Sequence, residues 1–304
     1  KTYPAFRFSW QQPKRAEAHL FSAIMTIWMN TMRTATVMTT VTIRHHQQIR
    51  YIAVHRPCLK SDARMTVPMP MKSIGSLMSA YGLNLDLAPV ADVLSGNSTG
   101  IGDRTFGTDA QTVSDMASEV IRGIQEEDVN AAMKYFPGYG AASSNMSGFP
   151  VINSSLDELK KKEFLPYSNA IAQGLDFIMV GHISVPNVTG DDTPASLSEK
   201  MISEVLRQDL GFKGIVMTDY LNDRTIVKNY SAADAAVKAI QAGADLLLEP
   251  DDLDAAYEGV LKAVKKGDIT EDRLDESIYR ILRVKLSMQD ESSDTTESES
   301  VSDY

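Results

Sequence analysis

Five apolar runs of strand length, spaced by amphipathic stretches, constrain this chain more than any other feature of it. "LNLDLAPV" (83–90), "VNAAMKYF" (129–136), "LDFIMVGHI" (175–183), "KGIVMTD" (213–219) and "ADLLLE" (244–249) are nearly continuous rather than alternating. A strand wetted on one face alternates in polarity. A strand covered on both faces does not, so these runs suit a parallel sheet with helices packed on it. Helical periodicity fills the intervals, over 109–127, 155–173, 198–210 and 231–242, and continues beyond the last strand over 251–265 and 270–287. Ser155 and Ser198 stand at helix starts with acidic residues in the first turn, the signature of a capped N-terminus. Strand–helix alternation of this kind means a parallel α/β fold. A length of 304 residues and this strand count favour a (β/α)8-type, TIM-like barrel over an open doubly wound sheet. No GxGxxG or P-loop follows any strand, which counts against a phosphate- or nucleotide-binding α/β protein.

The flanks differ in texture. Residues 1 to about 65 scatter Met, Thr, Arg and His with little period; "IRYIAVH" (49–55) reads as a strand and "AEAHLFSAIMTIWMNTM" (16–32) as a helix. The barrel is therefore expected to be incomplete or irregular at its N-terminal strands, and if these residues do not supply its first two strands the sheet has an open edge. "QDESSDTTESESVSDY" (289–304) is acidic and almost free of apolar residues, so a disordered tail is expected there. The domain reading is one barrel over 1–288, atypical over 1–70, followed by that tail. No apolar run approaches the ~20 residues of a membrane helix, so no membrane-spanning segment is expected. A net charge of −10 repels nucleic-acid phosphates. The single cysteine, Cys58, excludes an intrachain disulfide framework and leaves a cytoplasmic or a secreted, cell-surface location equally open. Oligomeric state is not legible.

Catalytic residues of a parallel barrel lie at the carboxyl ends of its strands. The polar residues there are Asp92, Lys134 to Tyr139, His182, Asp219 and Glu249. Asp219 ends a hydrophobic strand, where a rigid carboxylate can attack or stabilise an electron-poor carbon; the alternative is a cap for the next helix or turn. His182 is either a hydrogen-bonding site residue or a structural histidine. Arg104, in "GIGDRTFGTD", either grips a sugar hydroxyl or carboxylate through its donor fork or pairs with Asp103. Lys134 carries the same ambiguity, and with Tyr135 and Tyr139 it lies in a Gly- and Pro-rich loop suited to meeting a ligand. No HxH or HxxxH spacing supports a metal site, and no cofactor is expected.

From about residue 70 to 288 the chain resembles the N-terminal barrel of glycoside hydrolase family 3, in its β-N-acetylhexosaminidase branch. The resemblance rests on "YGLNLDLAPVADV" (81–93), "IGDRTFGTD" (101–109), "AMKYFPGYG" (132–140), "FIMVGHISVP" (177–186), "LGFKGIVMTD" (210–219) and "AGADLLLEPDD" (242–252), in the family's order. It implies a barrel enzyme that removes terminal N-acetylglucosamine with retention, through a glycosyl-enzyme. Asp219 falls where the family has its nucleophile, and Arg104 and Lys134 where it has sugar-binding residues. One loop departs from the pattern. The branch reads K-H-F-P-G-H-G followed by D-S-H, whose last His is the acid/base. Here Tyr135 and Tyr139 replace the early histidines, Asn145 replaces the Asp, and Met146 or Ser147 takes the place of the acid/base His. The family's D-x-E-G-G-x-V-x-R segment is absent from residues 1–70. Retaining hydrolysis needs both a nucleophile and an acid/base. The sequence therefore predicts a glycosidase of impaired activity or a non-catalytic, sugar-binding relative.

Overall fold

"NAAMKYF" holds only apolar or small side chains up to Lys134, and it forms the longest strand, β3 (Asn130–Phe136), buried along nearly its whole length. Around it a computed structural model describes residues 51–52, 68–95, 101, 104–143 and 148–294. The other strands are β1 (Tyr51–Ile52), β2 (Leu85–Asp86), β4 (Phe177–Val180), β5 (Ile215–Tyr220) and β6 (Leu246–Leu248). All neighbours pair in parallel and in strict sequential order, β1 to β6. A doubly wound sheet reverses its winding at a switch point; this sheet never does, and that is barrel topology. The described strands form a curled half-barrel, of which β1 and β6 are the edges.

The short β1 lies inside the run expected to be a strand, and it pairs Tyr51 with Leu85. The helix expected over 16–32 lies outside the described residues. The helices are α1 (Pro68–Ala80), α2 (Ala110–Gln125), α3 (Leu156–Lys161), α4 (Leu165–Ala172), α5 (Pro186–Thr189), α6 (Lys200–Asp209), α7 (Arg224–Asn229), α8 (Ala232–Ala242), α9 (Leu253–Lys266) and α10 (Glu271–Asp294). One helix was expected over 155–173, and two form. Pro166 lacks the N–H that a continuous helix needs there, and it sits instead in the first turn of α4. Ser155 caps α3 through a full capping box with Glu158. The expected cap at Ser198 is looser: its Oγ accepts from Met201 N at 3.4 Å, one residue before the assigned N-cap of the π-type helix α6. The last helix continues to Asp294, through residues 289–294 of the segment expected to be disordered; 295–304 lie outside the described residues.

Period-two alternation divides the core. Met133, Ile178, Val180, Val216 and Leu247 face the outer helices. Ala132, Phe177, Met179, Ile215, Met217, Leu246 and Leu248 face inward, where Ile281 and Val284 of α10 pack on them. At the amino ends of the strands Asp245, its carboxyl fully buried, holds that helix in place. It accepts from Arg207 (2.6 Å), Ser277 (2.6 Å), Arg280 (2.9 Å) and the Val216 N–H (2.9 Å). The carboxyl ends are left for polar groups.

Candidate active site

The alternation that turns Ala132 and Met217 inward carries Lys134 and Asp219, two residues on, to the same face at the strands' carboxyl ends. Lys134 is 2% exposed. Burial, and next the Arg104 guanidinium, push its amine down to about 8, against the attraction of Asp219, Asp86 and Asp92. Its Nζ lies 5.2 Å from the Tyr135 ring centre, on whose face an ammonium is attracted. Asp219 is partly buried, and its Oδ1 accepts the Tyr220 N–H at 2.9 Å. Burial raises its carboxyl above the ordinary range, opposed by the His182 ring, the Tyr220 N–H and Lys134. The capping alternative for Asp219 belongs to another residue: Asp223 caps α7, accepting Thr225 N at 2.7 Å.

Arg104 approaches from the segment before α2. Its Nη2 donates to the Tyr135 hydroxyl at 2.6 Å, and its guanidinium carbon lies 5.4 Å from the same ring's centre. Tyr135 is therefore flanked by two cations, while burial, the leading effect, still raises its phenol to about 12. Arg104 reaches the Asp219–Lys134 pair through this ring. The alternative partner, Asp103, lies outside the described residues.

His182 follows β4 and is 2% exposed. Its Nε2 is 2.9 Å from the Tyr220 carbonyl oxygen, which can only accept, so Nε2 carries a proton. Its Nδ1 is 2.7 Å from Ser196 Oγ. With both ring nitrogens occupied, His182 braces the end of β4 against the end of β5. Glu249, at the end of β6, accepts from Asn222 at 3.3 Å and adopts a left-handed φ of 43°.

The loop after β3 closes this floor. Gly140 brings it against the strand-end segment of β2: a Cβ there would lie 2.0 Å from the Val93 carbonyl oxygen, and the Gly140 carbonyl accepts from Ser95 N at 2.8 Å. Tyr139 packs edge-on to Tyr135 with centres 5.4 Å apart, and its hydroxyl accepts the His182 N–H at 3.0 Å. Gly181 makes room for it, since a Cβ at 181 would meet the Tyr139 ring at 2.9 Å. The altered proton-transfer positions, Asn145 to Ser147, lie outside the described residues. Among the described residues no group of three or more histidine, cysteine or carboxylate side chains is placed to hold a metal, and no helix is long and apolar enough to cross a membrane.

A curled parallel sheet with a carboxylate, a buried amine, a guanidinium and two tyrosines at its carboxyl ends defines a TIM-like barrel domain with a candidate site for a polar ligand. Residues 63–284 match the family model of the glycosyl hydrolase family 3 N terminal domain, and the chain belongs to that family. It is 32% identical over 220 residues to beta-hexosaminidase LpqI of Mycobacterium tuberculosis, covering 69% of this chain and 56% of that protein. It is 32% identical over 226 residues to a beta-N-acetylglucosaminidase/beta-glucosidase of Cellulomonas fimi, covering 71% and 40%. The fold is similar to the glycoside hydrolase family 3 beta-N-acetylglucosaminidase from Paenibacillus sp. str. FPU-7, with a TM-score of 0.71 and 34% identity over 74% of this chain and 44% of that one. The chain thus spans about half the length of the curated relatives it matches.

Proposed function

We propose that this chain is the barrel of a retaining β-N-acetylglucosaminidase acting on terminal N-acetylglucosamine in cell-wall or other glycans, and that its turnover is slow. The observation that carries the reading is Asp219. It is a carboxylate at a strand's carboxyl end, aligned by a backbone N–H, with the buried Lys134 amine in its field and Arg104 and Tyr135 beyond. In this reading Asp219 attacks the anomeric carbon, forming a C–O bond as the bond to the leaving oxygen breaks. Lys134, Arg104 and Tyr135 hold sugar hydroxyls, and His182 keeps the Asp219 strand end in place. Asn145, Met146 and Ser147 cannot protonate the leaving oxygen or deprotonate water, and general acid/base help of that kind is worth about 10²–10⁴-fold.

The test compares nitrophenyl N-acetylglucosaminide with a natural disaccharide. The aryl substrate, whose leaving group departs as a stable phenolate, should give a burst and then slow turnover that azide accelerates. The disaccharide should react far more slowly. Equal rates on both, with no azide effect, would mean that another residue supplies the acid. The same substitutions at 145–147 favour a second reading, a non-catalytic sugar-binding relative. Absence of any burst, with retained binding of N-acetylglucosamine, would select it.

A further inference from the structure

Asp92 is 1% exposed and has no part in the proposed chemistry, yet it is bonded to two of the segments that carry the candidate site residues. Its Oδ1 accepts the backbone N–H of Tyr139 at 2.9 Å. Its backbone carbonyl accepts the hydroxyl of Thr105, the neighbour of Arg104. Tyr139 in turn takes the His182 N–H on its hydroxyl. One carboxyl therefore ties the end of the β2 segment to the loop after β3, and through that loop to the end of β4. Among the described residues, neither its second oxygen, Oδ2, nor the hydroxyl of Tyr167 in α4, which lies within the field of Asp92, has a partner at full hydrogen-bonding geometry.

We propose that Asp92 is a positioning residue whose protonation state sets how firmly Tyr139, and behind it the His182 backbone, are held beneath the site. The groups facing it are Thr105 and Arg104 from the segment before α2, Lys134 and Tyr135 from β3, Tyr139 from the following loop, and Tyr167 from α4. Glu163, between α3 and α4, is 4% exposed, and its Cγ would lie 4.0 Å from a Cβ at Gly138, whose other near neighbour is Asp92 Oδ1. A neutral carboxyl is tolerable in a place this buried. An ionised one is a stronger acceptor for Tyr139 N–H and a counter-charge for Lys134 and Arg104. Burial raises this carboxyl to about 7, against the pull of the Tyr139 and Tyr135 N–H groups, Arg104 and Lys134. The change of state thus falls near neutrality. Only the consequence for glycoside turnover rests on the proposed function; the tie itself is tested without substrate.

The experiment uses the full chain labelled with 15N-tyrosine and, separately, 15N-histidine, titrated from pH 5 to 9. The Tyr139 and His182 amide signals should shift together with one midpoint near 7. Asp92→Asn, whose side-chain oxygen can still accept from Tyr139, should leave the protein folded and remove that shared transition. Asp92→Ala should in addition speed exchange of the Tyr139 and His182 amides by tenfold or more. A transition that persists in Asp92→Asn, or exchange unchanged in Asp92→Ala, would overturn the proposal. So would two unrelated midpoints in the wild-type chain. If the labelled chain behaves as expected but releases no nitrophenol at any pH, the proposed function fails and the positioning role stands.

Discussion

Lys134 and Asp92 share one buried field, and their protons respond to it in opposite directions. The Lys134 amine falls from 10.5 to about 8 on folding. Between those pH values the unfolded chain holds the extra proton, so stability should rise with pH across that window. The Asp92 carboxyl climbs from 3.8 to about 7. Across that window the native chain holds the extra proton, so stability should fall as pH rises. Each limb amounts to at most about 3–4 kcal/mol. Urea midpoints measured from pH 4 to 10 should show both limbs, Asp92→Asn flattening the acidic one and Lys134→Met the alkaline one. Unchanged slopes in these variants would mean that other groups carry the pH response. Asp219→Asn should abolish the aryl-substrate burst while leaving the urea midpoint near that of the parent, because it removes charge and little volume; a persisting burst would assign the nucleophile elsewhere. The placement of Lys134 and Asp219 at the strands' carboxyl ends was legible because each stands in the last few residues of an apolar run. The role of Asp92 was not: its partner is a backbone N–H 47 residues away, and no residue type signals that.

Elements were legible where the chain follows one period, and illegible where a single residue interrupts it. The interval 155–173 keeps helical spacing throughout, but Pro166 divides it into α3 and α4. The division turns Phe164 and Tyr167 under Phe136 of β3, with ring centres 5.1 and 5.2 Å away, and so supports the strand that delivers Lys134. The Ser155 cap that starts α3 is a local signal, and it behaved as one. Ser155→Ala should cost about 1 kcal/mol in urea unfolding without changing Tyr139 amide exchange, since the box lies on the exposed side of α3. Gly140 shows the converse. Its composition context marked a turn, but the demand on it is a close approach to Val93 across the loop, which no local pattern encodes. Gly140→Ala should therefore displace the loop and speed Tyr139 amide exchange, even though alanine suits most backbones. Exchange at the parent's rate would show that the Val93 segment yields instead.

At the scale of the whole molecule, the strands' carboxyl ends hold the candidate chemistry and their amino ends hold the fold together. A parallel α/β fold was readable from the alternation of strands and helices, and length with strand count favoured the sequential order of a barrel over a doubly wound sheet. The clamp beneath it was not, because Asp245 opens an apolar run and its arginines come from α6 and α10, far along the chain. Arg207, Arg273 and Arg280 converge on this one carboxyl, and Ser277 and Val216 N–H complete its bonds. Removing the carboxyl leaves three partly buried guanidiniums facing one another, and breaking a buried charge set in this way costs about 3–5 kcal/mol. Asp245→Ala should lose that much in urea unfolding. Asp245→Asn, which keeps an acceptor for Val216 and Ser277 but loses the charge, should lose part of it. Arg280→Met should lose less than either, because it removes one cation from a crowded set and keeps an unbranched apolar side chain at that position. The opposite end of the sheet should not register these changes while the chain stays folded, so Asp245→Asn should retain the shared Tyr139 and His182 titration. A urea midpoint for Asp245→Ala equal to that of the parent would mean that desolvating the carboxylate cancels its attraction for the arginines. Apolar packing of Ile281 and Val284 on the inner face of the sheet would then be what holds α10 in place.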